Sequence, residues 1–369
     1  MSFADGRPRR RARTPIPGGT RSSYSDFMTQ VTDHGGGVRS IEVPIPDNPL
    51  GHTLVYVVDT DRGPVLVDTG WDDPASWDTL AAGLTACGTS VTEIHGVVIT
   101  HHHPDHHGLS GAVREASGAW IAMHAADTAI VRRTRGTGPD RWFTYMTDKL
   151  TAAGAPQEHL AALRAPRRPR ALPGFSPALP DRDIVPGELL ELPGRRVRAI
   201  WTPGHTPGHV CLHLEEAHPS RLPGHGRLLS GDHLLPEISP HIGLYEDPDD
   251  DTVTDPLGDY LDSLERVGRL GPAEVLPAHQ YAFTDTAARV GELLAHHESR
   301  LTGLLTLLAT PLTPWQLAER MEWNRPWSQI PFGSRNIAVS EAEAHLRRLV
   351  KLGRAEAVTG SDPVMYVAV

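Results

Sequence analysis

Along this chain the apolar positions change period repeatedly, and each change marks an element. Thr53–Asp59 and Pro64–Asp68 are apolar, β-branched runs separated by Asp61-Arg62-Gly63, the signature of a hairpin. From Pro74 to Ala86 the spacing lengthens to that of a helix, with Leu80, Leu84 and Cys87 on one face. Ile94–Thr100 is short and almost wholly apolar, a buried strand. Gly108–Ala116 reads as the next helix and Ala119–His124 as another strand. The β pattern resumes at about Glu188: Gly194–Trp201, Gly208–Glu215 and Arg227–Ser230 are strands, followed by helix Leu257–Leu270 and strand Glu274–Pro277. Strands then helix, twice over, predicts an α/β fold of four layers, with two facing sheets and helices outside.

Three stretches depart from that rhythm. Residues 1–37 are polar and rich in Pro and Gly, and we expect a disordered leader with order beginning near Val38. Its arginines (Arg7, Arg9, Arg10, Arg11, Arg13) are followed by Pro15, Pro17, Gly18 and Gly19, not by the apolar run of a signal peptide. Residues 126–184 are helical at first (Asp127–Thr134, Trp142–Ala153, Pro156–Leu163) and then dominated by Arg and Pro from Arg164 to Pro180. We expect a lid-like insertion across the mouth of a site. Trp142, Phe143 and Tyr145 read as helix packing, with the lining of an acyl pocket as the other reading. The catalytic domain is expected over 38–285. From 286 a long helix (Arg289–Leu308), a helix opened by Thr313 and Pro314, a helix Ser340–Leu352 and an alternating ribbon (Arg354–Val358, Val364–Val369) give a winged-helix-like domain, 286–369.

Charge narrows the partners. Asp and Glu outnumber Lys and Arg by 45 to 35, a balance that disfavours nucleic acid. Beyond residue 286 the charges nearly cancel, so that region is assigned to packing, to wall the site, or to a homodimer contact instead of to DNA. No segment approaches the length of a membrane span. Cys87 and Cys211 are too few for a disulfide framework and are expected as free thiols, which with the missing signal sequence suggests a cytoplasmic protein.

Histidine is the outlier, with 21 residues, several in one run: Thr100-His101-His102-His103-Pro104-Asp105-His106-His107-Gly108. The run leaves a buried strand and opens a helix. Two histidines one residue apart can reach a common ion, and Asp105 and His106 can turn to a neighbouring one. Three further strand ends deliver donors: His205 in the tight turn Thr202-Pro203-Gly204-His205-Thr206-Pro207-Gly208, Asp232 after Leu229-Ser230-Gly231, and His279 after Val275-Leu276-Pro277-Ala278. His102, His107, His209 and His233 lie beside these and are expected to turn away from them.

The pattern His-x-His-x-Asp-His at His101–His106, with His205, Asp232 and His279 downstream, resembles the metallo-β-lactamase superfamily over roughly residues 38–285. The resemblance implies an αββα metallo-β-lactamase sandwich with two divalent metal ions, zinc first and iron or manganese as alternatives. His101, His103 and His205 would hold one ion, and Asp105, His106 and His279 the other. Asp232 would bridge them, and Asp68 would orient ligands from behind. A shared water turned into hydroxide would attack the substrate, with Asp105 as a proton acceptor. Members that hydrolyse β-lactams usually carry a cysteine where Asp232 stands. The ligand set is similar instead to glyoxalase-II-like thioester hydrolases, and the C-terminal region resembles the branch of the β-lactamase-like protein 2 group and fungal polyketide-carrier thioesterases. Those resemblances imply a small-molecule or carrier-bound acyl substrate, with lactone, phosphodiester or RNA cleavage as the alternative. His241 and Tyr245, on the segment after Asp232, are candidate substrate contacts.

Overall fold

The computed structural model describes residues 30–135, 139–164, 178–245 and 252–369, without the side chains of 139–143. The leader read over residues 1–29, the Arg/Pro run at 165–177 and the side chains of Trp142 and Phe143 lie outside the described residues. The strands of the first sheet are β1 (Val31–Asp33), β2 (Val38–Pro44), β3 (His52–Val58), β4 (Val65–Val67), β5 (Gly96–Val98), β6 (Trp120–His124) and β7 (Arg182–Ile184), adjacent in that order. Pairing is antiparallel from β1 to β4 and parallel from β4 to β7. The second sheet contains β8 (Val197–Trp201), β9 (Val210–Leu214), β10 (Arg227–Gly231) and β11 (Glu274–Pro277), in the spatial order β11-β10-β9-β8.

Order thus begins before Val38. Gly35, Gly36 and Gly37, which read in sequence as the end of a disordered leader, all take positive φ and turn β1 back onto β2, pairing Val31 with Ile41. The Arg227 guanidinium seals this turn by donating to the carbonyls of His34 and Gly35.

The pleat explains the layers. Leu54, Tyr56 and Val58 of β3 share one core with Val210, Leu212 and Leu214 of β9, between the two sheets. The alternate residues Val55 and Val57 point to the opposite face and pack with Leu80 and Leu84 of helix α1 (Pro74–Ala86). In β9 the alternate position Cys211 belongs to the core on the far side of the second sheet. Each fully buried aliphatic contributes about 1.5–3 kcal/mol. A one-residue slip of β9 would drive His213 into the inter-sheet core, so the register is fixed. The result is α/β/β/α, as the sequence rhythm predicts.

The remaining helices are α2 (Pro104–His107), α3 (Ser110–Ser117), α4 (Ala125–Thr134), α5 (Pro139–Ala152), α6 (Gln157–Arg164), α7 (Pro256–Leu270), α8 (Thr286–Leu307), α9 (Pro314–Arg320) and α10 (Arg335–Lys351). A ribbon of β12 (Ala355–Ala357) and β13 (Tyr366–Ala368) ends the chain. Helix α9 opens as expected, with Thr313 and Gln316 forming a reciprocal capping box and Pro314 in the first turn. Helix α10 starts at Arg335, earlier than Ser340, because Ala338 and Val339 already belong to its buried face. Within the 126–184 segment, α5 and α6 pack on the C-terminal region, where Leu150, Ala153 and Leu160 share a core with Trp315, Leu317 and Leu346, whereas Val131 and Ile184 belong to the cores of the sandwich. That core also includes Leu257, Tyr260, Leu264 and Val267 of α7, so it crosses residue 285 without a break.

Candidate metal centre

Five strand ends converge. Strand β4 ends at Asp68, β5 leads through Ile99–His103 into α2, β8 into 202–209, β10 into Asp232 and β11 into His279. Asp105 and His106 sit on α2, a turn of helix that begins before Gly108. The reason for Gly108 is close approach. A Cβ there would lie 2.4 Å from the Pro104 carbonyl oxygen, 2.6 Å from the Asp72 nitrogen and 2.7 Å from the Gly70 carbonyl oxygen. Without a side chain at 108, α2 presses onto the loop after Asp68.

The donors form two groups that could each hold a metal ion: His101, His103, His205 and Asp232, and Asp105, His106 and His279. In the first, His101 Nε2, His103 Nδ1 and His205 Nε2 lie 3.0, 3.1 and 3.2 Å apart. In the second, His279 Nε2 is 3.4 Å and His106 Nε2 is 3.6 Å from Asp105 Oδ2. Asp232 spans both. Its Oδ1 is 3.2 Å from His279 Nε2 and 3.3 Å from His106 Nε2, and its Oδ2 is 3.4 Å from His205 Nε2.

The outer nitrogens reveal the tautomers. His205 Nδ1 lies 2.7 Å from the His241 carbonyl oxygen, and His279 Nδ1 2.9 Å from that of His52. A carbonyl only accepts, so both Nδ1 atoms carry a hydrogen and each Nε2 faces inward, as a lone pair wherever the ring is neutral. His106 Nδ1 lies 2.8 Å from the Asp68 carboxylate. His101 Nδ1 lies 3.0 Å from Thr100 Oγ1, whose own hydrogen goes to Asp68. His103 Nε2 lies 2.5 Å from the Tyr245 hydroxyl, which leaves Nδ1 for the cluster. Three lone pairs about 3 Å apart repel one another unless a cation lies among them. Ligands of a tetrahedral ion at ~2.0–2.1 Å would be spaced by about 3.3–3.4 Å. His106 Nε2, His279 Nε2 and Asp232 Oδ1 are buried without a hydrogen-bond partner. A divalent ion in each group would satisfy all of these atoms, so the residues fit the two ions that the donor set implies.

The two groups differ electrostatically. Burial, with the neighbouring imidazoles, holds His101 and His103 well below their ordinary pKa. Burial likewise takes His205 down to about 4, although Asp232 opposes it. Burial also acts against protonation of His106 and His279. There Asp232 and Asp105 outweigh it, holding His106 well above its ordinary value and His279 at about 10. Asp105 stays below the usual carboxylate range, because His106 and His279 overcome its burial.

Support comes from behind the donors. Asp68, in a left-handed conformation at φ 60°, accepts from Thr100 N, Thr100 Oγ1 and His106 Nδ1. None of the four neighbouring histidines enters either group. His102 bonds to Asp127, His107 to Ser110 and the Ala178 carbonyl, and His209 to Thr202 and the Asp232 amide. His233 packs edge-on against Tyr260. The polar atoms that His241 and Tyr245 bring to the site are taken up by histidines of the first donor group: the His241 carbonyl by His205, and the Tyr245 hydroxyl by His103. Sequence reasoning missed Asp127. It is fully buried at the start of α4 and accepts from the His102 amide, the Thr206 hydroxyl and the Gly208 amide, so it joins the first ligand loop to the His205 turn. Nothing local in the sequence distinguishes this aspartate from a helix-start residue.

A pair of carboxylate-bridged donor groups at the strand ends of an αββα sandwich defines a metal-dependent hydrolase class. Residues 48–279 match the family model of the metallo-beta-lactamase superfamily, and the chain belongs to that superfamily. It is 27% identical to the probable metallo-hydrolase YqjP of Bacillus subtilis over 77% of this chain and 84% of that protein. It is 23% identical to a beta-lactamase-like protein 2 homolog of Caenorhabditis elegans over 90% and 87%. A crystal structure of a metallo-beta-lactamase family protein from Thermus thermophilus superposes with a TM-score of 0.71 at 31% identity, covering 90% of this chain and 99% of that one. The chain spans only 34% of the length of the Aspergillus fumigatus lactamase-like protein nscB that it also matches. Family and donor set together imply divalent metal ions and a metallo-hydrolase. No helix among the described residues is long and apolar enough to cross a membrane.

Proposed function

We propose that this protein is a dinuclear-metal hydrolase of thioesters or esters, acting on a small-molecule or carrier-bound acyl substrate of coenzyme A or acyl-carrier type. His101, His103 and His205 would hold one ion, Asp105, His106 and His279 the other, and Asp232 would serve both. The observation that carries the reading is the double span of Asp232, with Oδ1 at His106 and His279 and Oδ2 at His205. Zinc is the first choice for a set of imidazoles with hard carboxylates, and iron or manganese remain compatible.

Two bound divalent ions would lower the pKa of a water towards neutrality and polarise the carbonyl under attack. The protein's own part is orientation and proton handling. Acceptors at each outer nitrogen fix the five imidazoles, and Asp68 keeps His106 turned inward. Asp105, held below the usual carboxylate range by His106 and His279 against its burial, is the residue assigned to take the water's proton. The water oxygen bonds to the acyl carbon, the carbon–sulfur bond breaks, and the proton passes from Asp105 to the departing thiolate, giving a carboxylic acid and a thiol. An aspartate at 232, where the β-lactam hydrolases it resembles usually carry cysteine, supports a substrate other than a β-lactam. The acidic balance of the chain supports a small acyl compound over nucleic acid.

The test is metal content per chain in protein purified without chelators, together with turnover of a panel of thioesters, esters, lactones, phosphodiesters and single-stranded RNA, repeated in Asp105→Ala and His205→Ala. Near two metals per chain and thiol release abolished in both variants is the expected result. Cleavage confined to phosphodiesters or RNA would overturn the substrate class. Absence of bound metal, with no activity restored by zinc, iron or manganese, would overturn the site.

A further inference from the structure

The C-terminal helices touch the loop that leaves Asp232 at two places: Arg289 donates to the carbonyls of Leu235 and Ile238, and residues 241–245 reach the donor histidines themselves. On its inner side this segment holds two of the imidazoles: the His241 carbonyl accepts from His205 Nδ1 at 2.7 Å, and the Tyr245 hydroxyl meets His103 Nε2 at 2.5 Å. On its outer side it is fastened to α10. Ser340 Oγ accepts the Leu244 amide at 2.9 Å, and the Glu341 carboxylate lies 3.1 Å from His241 Nδ1. Arg300 of α8 donates to the other Glu341 oxygen at 3.1 Å, so both carboxylate oxygens are used. Gly243 leaves no slack between these fixings. A Cβ there would lie 2.5 Å from His241 Nε2 and 3.2 Å from Ser340 Oγ. Both imidazoles so held are in the first donor group, whereas the outer nitrogens of His106 and His279 rest on Asp68 and the His52 carbonyl, within the sandwich.

We infer that the C-terminal helical region is a positioning element of the metal centre: Ser340, Glu341 and Arg300 set the 241–245 segment, and that segment sets the aim of His205 and His103. Residues so placed act through another group and touch neither ion nor substrate. The inference rests on His103 and His205 being ligands, as proposed above. It assigns the 286–369 region a task in assembling one half of the centre, and it makes that half more sensitive than the other to changes in α10. Partners of this kind behind metal ligands are generally worth about 10–100-fold in metal affinity.

The test is a titration of full-length metal-free protein with Co2+, followed by the ligand-field spectrum and by competition with a chelator. The proteins compared are the wild type, the double variant S340A/E341A, E341Q and R354A. Arg354 pairs at 3.5 Å with Glu298 on the surface of the same region and has no contact with the segment. The expected result is at least about a tenfold loss of affinity in one of the two binding steps of S340A/E341A, with an altered spectrum for that ion. The other step should be unchanged, and E341Q, which keeps an acceptor for His241, should recover most of the loss. R354A should bind as the wild type does. Two unchanged steps and an unchanged spectrum in S340A/E341A would overturn the inference, whatever its melting temperature. A wild type that binds no cobalt would instead overturn the metal-centre reading itself. If the double variant does not fold, S340A alone, which removes the acceptor of the Leu244 amide, carries the same test with the same two outcomes.

Discussion

His106 and His279 lie against Asp105 and Asp232, whereas His101, His103 and His205 lie chiefly against one another. An ion entering the first group meets imidazoles already neutral at pH 6–8, since burial holds His101 and His103 well below their ordinary value and His205 at about 4. An ion entering the second group must displace a proton from each of His106 and His279, the latter protonated up to about pH 10. The sign follows: affinity of the second step rises with pH, by about 100-fold per unit when two protons leave, while the first stays nearly flat. Zinc competition titrations at pH 6, 7 and 8 measure both slopes, and equal slopes would contradict this division. Asp68→Asn removes the charge that orients His106 and should weaken the second step about 10–100-fold, with a smaller loss in the first, which Asp68 reaches only through Thr100 and His101, read by the same titration. The seven donors were legible in sequence because each is a rare residue type at the end of an apolar strand. Asp127 was not, because its importance lies in bonds to residues 25 to 81 positions away, which no local pattern records.

At the scale of elements, strands β3, β5, β9, β10 and β11 were legible because their apolar runs are buried on both faces, and helices α1, α7 and α9 because of their spacing and caps. Strand β1 was hidden behind three glycines that look like the end of a disordered leader and are a turn. The short helix α2 was hidden because four residues carry no periodicity, although Pro104 at its first position is a start signal. Its seat depends on Gly108, where the atoms a Cβ would strike are backbone. Gly108→Ala should therefore displace α2, with at least about a tenfold loss of affinity in the step served by Asp105 and His106. It should also cost about 1–3 kcal/mol of stability, as overpacking does. Metal titration and urea unfolding of the metal-free protein check both parts, and an alanine variant with unchanged metal binding would show that α2 adjusts freely. Asp127→Ala acts between elements. It strands the His102 and Gly208 amides and the Thr206 hydroxyl in a buried place, a loss of about 3 kcal/mol or more, measurable in the same unfolding experiment.

For the whole molecule, the sequence suggests a boundary near residue 285, yet one apolar core runs across it. Leu257, Tyr260, Leu264 and Val267 of α7 share that core with Leu293, Leu301, Leu304, Trp315 and Leu346 from beyond the boundary and with Leu150 and Leu160 from the 126–184 segment. Texture changes along a chain report composition, and they are blind to which surfaces meet, so the joint core could not be read in advance. Full exposure of the four α7 side chains, at about 1.5–3 kcal/mol each, would cost about 6–12 kcal/mol. They also pack on Cys211, Leu228 and Val275 of the second sheet, so loss of the C-terminal helices costs a part of that, still a large share of the ~5–15 kcal/mol that holds a typical domain together. A chain ending at residue 285 is thus expected to be insoluble or unfolded, and the intact protein to lose its C-terminal helices and its second sheet in one transition. Cys211 offers the readout. It is fully buried on the far face of β9 within the same core, its thiol is pushed by burial up to about 12, and Cys87 is only half-buried. In native protein a thiol reagent should modify Cys87 alone. Along a urea titration Cys211 should become reactive at the same midpoint as the loss of helical circular dichroism. Reactivity of Cys211 well after the C-terminal helices melt would mean that the second sheet stands without them and that residue 285 is a true domain boundary.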